Sequence, residues 1–369
     1  MNRIWNNFQT LTAIDSSSFE ERLFCDTLKE MLTELGIETY EDSAGAQIGG
    51  NCGNLYGYLP GRLPLEPLLF SAHMDTVEPG KSKKAVLDEN GVITSAGDTV
   101  LGADDVAGIV IILEALTRLK ESGQPHRPVE LLFPVAEERY ALGSALIDYA
   151  RITARESYVL DLSGSIGEAA NAAPTILAFE ITITGKSAHA GFAPKNGIHA
   201  IAAAAQAITQ APLGEPQPGV MVNIGKITGG EANNIIPAHC LVSGEIRSLS
   251  HEAVLAQWQN IKGIFEQAAA DTGASVTAQH SIHVTAYETP PDSPVVKRFQ
   301  NACRRVNIPA DIHSTLGGSD QNSFALHGIS GIAVACSMHD VHSPLESSRL
   351  DELEQCVNLV LALITEDVP

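Results

Sequence analysis

Three short apolar runs in this chain end alike. Leu68–Phe70, Val129–Val135 and Tyr158–Leu160 each read as a buried strand, and each gives way to acidic residues. His73-Met74-Asp75 follows the first, Glu137-Glu138 the second and Asp161 the third. Helix-like stretches lie between them. Apolar strands alternating with helices, with polar groups at the strand ends, point to an α/β sheet carrying a site on its carboxyl edge. Gly102-Ala103-Asp104-Asp105 stands directly ahead of the apolar VAGIVIILEALTRL. That places two aspartates at the start of a buried helix, where backbone N–H groups favour anions. A helix cap accounts for one of them and not so easily for both.

The rest of the chain divides around this pattern. Asp15 to Gly36 reads as an amphipathic helix, started by Ser16–Ser18 with Glu20 and Glu21 and stopped by Gly36. Asn54–Leu59 reads as a strand, Lys81–Thr94 as a peripheral loop or hairpin, and Ser144–Tyr149 as a helix. From about Ala178 the texture changes: AFEITITGKSAHA, an Ala-rich helix, two further strands, a long amphipathic helix and ASVTAQHSIHV follow in turn. The order β-α-β-β-α-β is that of a ferredoxin-like domain. With 369 residues, two domains are the natural expectation. The boundaries read as 1–176 and 287–369 for one domain, with 177–286 inserted. Helix Val295–Val306, the loop Leu316-Gly317-Gly318-Ser319-Asp320, a strand near Gly331–Ala335, Met338–His342 and a helix at about Ser347–Thr365 complete the first domain.

Collected, the strand-end acids are Asp75, Asp104, Asp105, Glu137, Glu138 and Asp161, with His73 and a late histidine, His339 or His342. In one cleft their mutual repulsion and desolvation would be prohibitive without counter-ions. Two divalent cations would offset them. Carboxylate and imidazole donors suit zinc, and also manganese or cobalt. Residues two apart on an extended segment share a side, so Asp75 can accept a ring proton from His73 and aim the other nitrogen at a metal.

Composition narrows the class. The formal charge is −21, from 44 acidic and 23 basic residues, which disfavours nucleic acid and anionic membrane surfaces as partners. The six cysteines form no Cys-x-x-Cys pair, and the first residues lack a secretory pattern. Reduced thiols in a cytoplasmic protein are expected. No apolar run is long enough to span a bilayer. A serine hydrolase is excluded by the absence of a Gly-x-Ser-x-Gly elbow, since Ser163 stands at the first glycine of Ser163-Gly164-Ser165-Ile166-Gly167.

The order HMDT, GADD, EE, D and a late HS, with a domain inserted before the last, resembles the co-catalytic metallopeptidases that include peptidase T, glutamate carboxypeptidases and aminoacylases. GADD followed by Ala-Gly, and SAHAG, are most similar to the peptidase T branch. The resemblance covers nearly the whole chain. It implies a zinc-exopeptidase-like α/β catalytic domain, a mixed sheet flanked by helices, with a ferredoxin-like α+β lid and dimerisation domain. By the same resemblance His73 and Asp161 bind one metal, Asp104 bridges, and Glu138 and His342 bind the other. Glu137 is the general base, Asp75 orients His73, and Asp105 stands behind the site next to a peptide bond that is often cis in this family. His189 matches an oxyanion-stabilising histidine, Arg247 an arginine for a substrate carboxylate, and Asn233, Gly318, Ser319 and Asp320 substrate-contacting positions. The implied enzyme is a cytoplasmic homodimer that hydrolyses small peptides. An N-acyl amino acid deacylase or dipeptidase on this scaffold, or a non-catalytic binding protein that keeps the fold, are the rival readings. Val106, Arg139, Gln321 and Asn322 depart from the peptidase T pattern without removing a ligand, and bear on substrate rather than on metal.

Overall fold

The computed structural model describes residues 2–365. Two compact units result: residues up to Ala173 with those from Glu288 on, and Pro174–Tyr287.

The first unit opens with α1 (Arg3–Thr12) and α2 (Arg22–Glu34), followed by β1 (Glu38–Glu41), α3 (Ala44–Ile48) and β2 (Leu55–Leu59). β3 (Leu68–Ser71) precedes the hairpin β4 (Ala85–Leu87) and β5 (Val92–Ser95). Then come α4 (Ala103–Ser122), β6 (Val129–Phe133), β7 (Glu156–Leu162) and β8 (Glu168–Ala173). The second unit holds β9 (Thr175–Thr184), α5 (Ala200–Gln210), β10 (Gly214–Gln217), β11 (Val220–Gly229), β12 (His239–Ser248), α6 (His251–Thr272) and β13 (Ser275–Val284). After β14 (Tyr287–Glu288) the first unit resumes with α7 (Pro294–Arg305), β15 (Asp311–Ser314), α8 (Asp320–Leu326), β16 (Ser330–Ala335), β17 (Ser347–Arg349) and α9 (Leu350–Ile364).

The main sheet runs β1-β2-β6-β3-β7-β16-β8, and β15 pairs with β8. Its centre, β6-β3-β7-β16, is parallel, and antiparallel strands flank it on both sides. Both faces of that centre are buried. Phe70, Leu131, Tyr158 and Leu160 pack on one side with α4 and α9, while Leu69, Leu132 and Val159 pack on the other with Phe324 and Ile329. Double burial is why Leu68–Phe70, Leu131–Phe133 and Tyr158–Leu160 are apolar runs rather than alternating ones. At Gly108 a Cβ would sit 2.5 Å from the Leu160 carbonyl, so only glycine lets α4 lie this close to β7.

In the second unit the order β10-β11-β12-β9-β13 is antiparallel throughout. α5 and α6 cover one face, burying Phe179, Ile181, Val242, Trp258 and Phe265. The unit begins at Pro174, against an expected 177, because β9 already starts at Thr175.

Several sequence expectations give way. Asp15–Glu21 is not helical. Phe19 is left-handed (φ 76°) and its N–H donates to Glu21, so the helix starts only at Arg22. Ser144–Tyr149 forms two short 3₁₀ turns, interrupted where Ile147 is extended and the Asp148 side chain accepts from Ala150 N. Ser347–Arg349 is not the start of the last helix but a strand, paired with Val92–Thr94 of β5. All six cysteines are buried and outside any disulfide. Among the described residues no helix is long and apolar enough to cross a membrane.

Candidate metal centre

Parallel strands end at the same rim, and here those ends are acidic. β3 leads into His73 and Asp75, each 1% exposed, β6 into Glu137 and Glu138, and β7 carries Asp161 near its end. β16 leads toward His342. Asp104 arrives from the first turn of α4, which Gly102 enters in a left-handed conformation (φ 77°, ψ 25°). Asp104 and Asp105 depart from helical backbone angles and their shared peptide bond is cis. Asp105 caps the regular helix that follows, accepting from Gly108 N, while Asp104 turns to the histidines.

Asp104 is the centre of the cluster. Its Oδ1 lies 3.0 Å from His73 Nε2, and its Oδ2 lies 3.2 Å from His342 Nε2. His342 Nε2 is also 3.0 Å from Glu138 Oε1, and His73 Nε2 is 4.0 Å from Glu137 Oε2. Ligand atoms of His73, Asp104 and Glu138 fall within 4.8 Å of one another, as do those of His73, Glu137 and Asp161. His339 turns elsewhere, with Nε2 2.6 Å from Glu352. The geometry thus brings His342, and not His339, to the cluster.

The backbone behind these groups is held by carboxylates. Asp105 accepts from His73 N (3.1 Å) and Gly108 N (3.2 Å). Asp75 accepts from Glu137 N (2.8 Å), Glu138 N (3.2 Å) and Ser18 Oγ (2.7 Å). His73 Nδ1 faces Asp75, 2.9 Å from its main-chain oxygen and 3.4 Å from Oδ1. The main-chain oxygen is the nearer acceptor, and the carboxylate expected from sequence stands beside it at the same ring nitrogen. Glu346, 1% exposed, accepts from Gly102 N (2.8 Å) and Asp104 N (2.9 Å).

Electrostatics state the problem that such a cluster poses. Burial, then nearby carboxylates, push Glu137 and Asp161 well above the ordinary carboxylate range, and burial also raises Glu138 and Asp105. Asp104 is depressed: burial would raise it, but hydrogen bonds to His342 and His73 outweigh that. Burial alone would lower His73, yet Asp104 and Asp75 hold it well above its usual value. Asp104 and Glu138 lift His342 to about 10. Imidazoles supply the only ion pairs these carboxylates make among the described residues. Divalent cations would relieve the repulsion, and the donors are the oxygen and imidazole nitrogen that zinc, manganese and cobalt accept. The residues therefore fit a pair of metal ions, with one Asp104 oxygen available to each.

The acids open onto a cavity of about 350 Å³, lined also by His313, Thr315, Gly317, Gly318 and Ser319. Of the loop expected to contact substrate, Gly318 and Ser319 reach this cavity. The Ser319 hydroxyl caps α8, within a capping box completed by Asn322. Asp320 lies 1% exposed behind the wall, both carboxylate oxygens without a hydrogen bond, and burial pushes it up to about 6. Gln321 is tied to Ser157 and Ile329, and Asn322 closes the capping box of α8. A larger cleft, about 440 Å³ between Tyr40, Tyr58 and Arg151, carries none of the clustered groups.

His189, Asn233 and Arg247 belong to the second unit. His189 is exposed, and its Nδ1 accepts from Gly191 N (3.1 Å) and Phe192 N (3.2 Å), which leaves the ring proton on Nε2. Asn233 is exposed in a turn between β11 and β12. Arg247 forks onto Glu245, two residues away, at 2.8 and 3.2 Å.

Ser18, Glu21 and Glu346 were not foreseen as part of the site. Glu346 carries a faint signal, an acid just beyond a His-Ser-Pro turn, whereas Ser18 and Glu21 look like an ordinary helix start.

Residues 69–366 match the peptidase family M20/M25/M40. The uncharacterized protein YqjE of Bacillus subtilis (strain 168) is 35% identical over 364 residues, 99% of this chain and 98% of its own. The crystal structure of aminopeptidase PepT from Bacillus cereus ATCC 10987 gives a TM-score of 0.91 at 36% identity, covering 99% of this chain and 98% of that one. A tripeptidase from Staphylococcus aureus subsp. aureus Mu50 gives 0.95 at 30% identity, covering 99% and 97%.

Proposed function

The chain belongs to peptidase family M20/M25/M40 and is a hydrolase, and we propose on that premise that it removes residues from the amino end of small peptides with a pair of divalent cations. The observation that carries this reading is Asp104, whose two oxygens are divided between His73 and His342 while Glu137 stands beside His73.

His73, Asp161 and Asp104 would hold one cation, and Asp104, Glu138 and His342 the other. Zinc fits these donors best, and manganese or cobalt would be accepted. When bound, the metals supply Lewis acidity toward water and the scissile carbonyl. Glu137 takes a proton from the attacking water and returns it to the leaving amine. Its burial, which raises its affinity for that proton, suits both halves of the task. Asp75 fixes His73 and, through two amides, the Glu137–Glu138 turn. Gly318 and Ser319 would border the substrate. His189 would donate its Nε2–H to the developing oxyanion, Arg247 would exchange Glu245 for a substrate carboxylate, and Asn233 would contact substrate. A homodimer working in the cytoplasm completes the proposal.

Glu137→Gln tests the base. Loss of a general base should lower kcat about 100- to 10,000-fold, with metal content, measured by elemental analysis, unchanged. A variant that keeps full rate removes Glu137 from this role. A panel of free peptides, N-blocked peptides and acyl amino acids decides the substrate end. Activity confined to acyl amino acids would make the enzyme a deacylase instead.

A further inference from the structure

The Glu137–Glu138 turn rests on a backbone conformation its own residues do not favour. Ala136, immediately before it, is left-handed (φ 51°, ψ 40°). So is Phe19 (φ 76°), 117 positions earlier by the numbering. Residues with a Cβ seldom adopt this region unless something holds them there. One atom holds both. Glu21 Oε1 accepts from Phe19 N at 2.9 Å and from Ala136 N at 3.0 Å.

Glu21 is fully buried, and its second oxygen accepts no hydrogen bond. A buried carboxylate costs free energy unless it does something, and all that this one does passes through Oε1. Burial and the neighbouring Asp75 push it up to about 7. Three residues earlier Ser18 Oγ donates to Asp75 Oδ2 at 2.7 Å, and the same Asp75 carboxylate receives Glu137 N and Glu138 N. Thr76 N donates to Ser16 O at 2.9 Å, beside a bridge between Ser17 and Thr76. Residues 16–21 thus grip both acidic turns from behind, and they precede the residues that match the peptidase family.

We propose that Glu21 and Ser18 are positioning residues of the hydrolytic site: Glu21 sets the Ala136 backbone from which Glu137 and Glu138 project, and Ser18 sets the Asp75 carboxylate that holds their amides. Neither touches the substrate or a cation. The proposal rests on Glu137 as base and Glu138 as ligand, and concerns what aims them. A single carbonyl-type oxygen suffices for the two N–H groups, so glutamine can do what glutamate does and alanine cannot.

The test uses the full chain, made metal-free and reloaded with cobalt(II), with kcat and KM measured on a tripeptide and the visible cobalt absorption recorded. Removing a partner that orients a metal site commonly costs 10- to 100-fold, so Glu21→Ala should lower kcat by about that factor. KM should stay near wild type and the cobalt bands should shift. Glu21→Gln should restore both kcat and the wild-type spectrum. Ser18→Ala should give a smaller loss, about tenfold, again in kcat. The proposal is overturned if Glu21→Ala keeps the wild-type kcat and spectrum, or if Glu21→Gln is as impaired as Glu21→Ala. Should Glu21→Ala fail to fold, Ser18→Ala decides: wild-type kcat and spectrum there also overturn the proposal. If the wild-type protein cleaves no peptide, the proposed activity fails, while the cobalt spectra of the three variants still decide the positioning role.

Discussion

The two sheets of this molecule solve the same problem, burying apolar strands, in opposite ways. In the first unit the central strands β6, β3 and β7 are parallel and buried on both faces, and their buried stretches, such as Leu131–Phe133 of β6, read as apolar runs. In the second, β9 alternates buried and open residues, because two helices cover only one face of an antiparallel sheet. Strand direction then determines where chemistry can gather. Parallel strands bring all their carboxyl ends to one rim, where each chain must leave the core through polar residues. Antiparallel strands share those ends between two rims. The acids converge in the first unit because its strands agree in direction.

This contrast can be broken in three places. If both faces of β3 are core, Leu69→Ala, on the face opposite Phe70, should cost about 2–5 kcal/mol in denaturant unfolding. Thr277→Ala, exposed on β13, should stay within about 0.5 kcal/mol. Equal costs would mean that the open face of the second sheet is not open. Next in size is the metal. Zinc at a hundredfold excess over its dissociation constant should stabilise the metal-free protein by about 2.7 kcal/mol. Amide exchange should slow at 72–76, 103–106, 136–140 and 161–163 and remain unchanged in β9 to β13. Protection spread evenly over both sheets would deny that the acids alone feel the cation.

The smallest effect concerns an acid of the first unit that has found cations within the protein. Burial would raise Glu41, but Arg22, Lys29 and the Gly53 amide outweigh it and hold it at about 2, against 4.5 unfolded. A carboxyl depressed on folding contributes stability that is fully present above about 4.5 and is lost as pH falls through about 2. Glu41→Gln should therefore flatten the stability profile across that window, and an unchanged slope would show the pairing to be idle.

What could be read in advance follows the same physics. Strong periodicity marked β9, α5, β12 and α6, and apolar runs marked β3, β6 and β7, since burial leaves a local trace in the residues themselves. β8, EAANAA, left none: small residues pack there because neighbours are close, which composition does not announce. The acids around Asp104 were legible because each follows its own strand. Glu21 was not, since its partner Ala136 is 115 residues away and Ser16–Glu21 imitates a helix start. The Ser144–Tyr149 reading failed for a related reason, a weak helical preference overruled by the Asp148 turn.

The clasp of Glu346 on Gly102 and Asp104 spans 244 and 242 residues. On the ribosome, at about 5–20 residues per second, Asp104 would wait on the order of 10–50 s for that partner to be synthesised. A nascent or prematurely terminated chain therefore lacks the carboxylate that holds the two amides at the entry to α4.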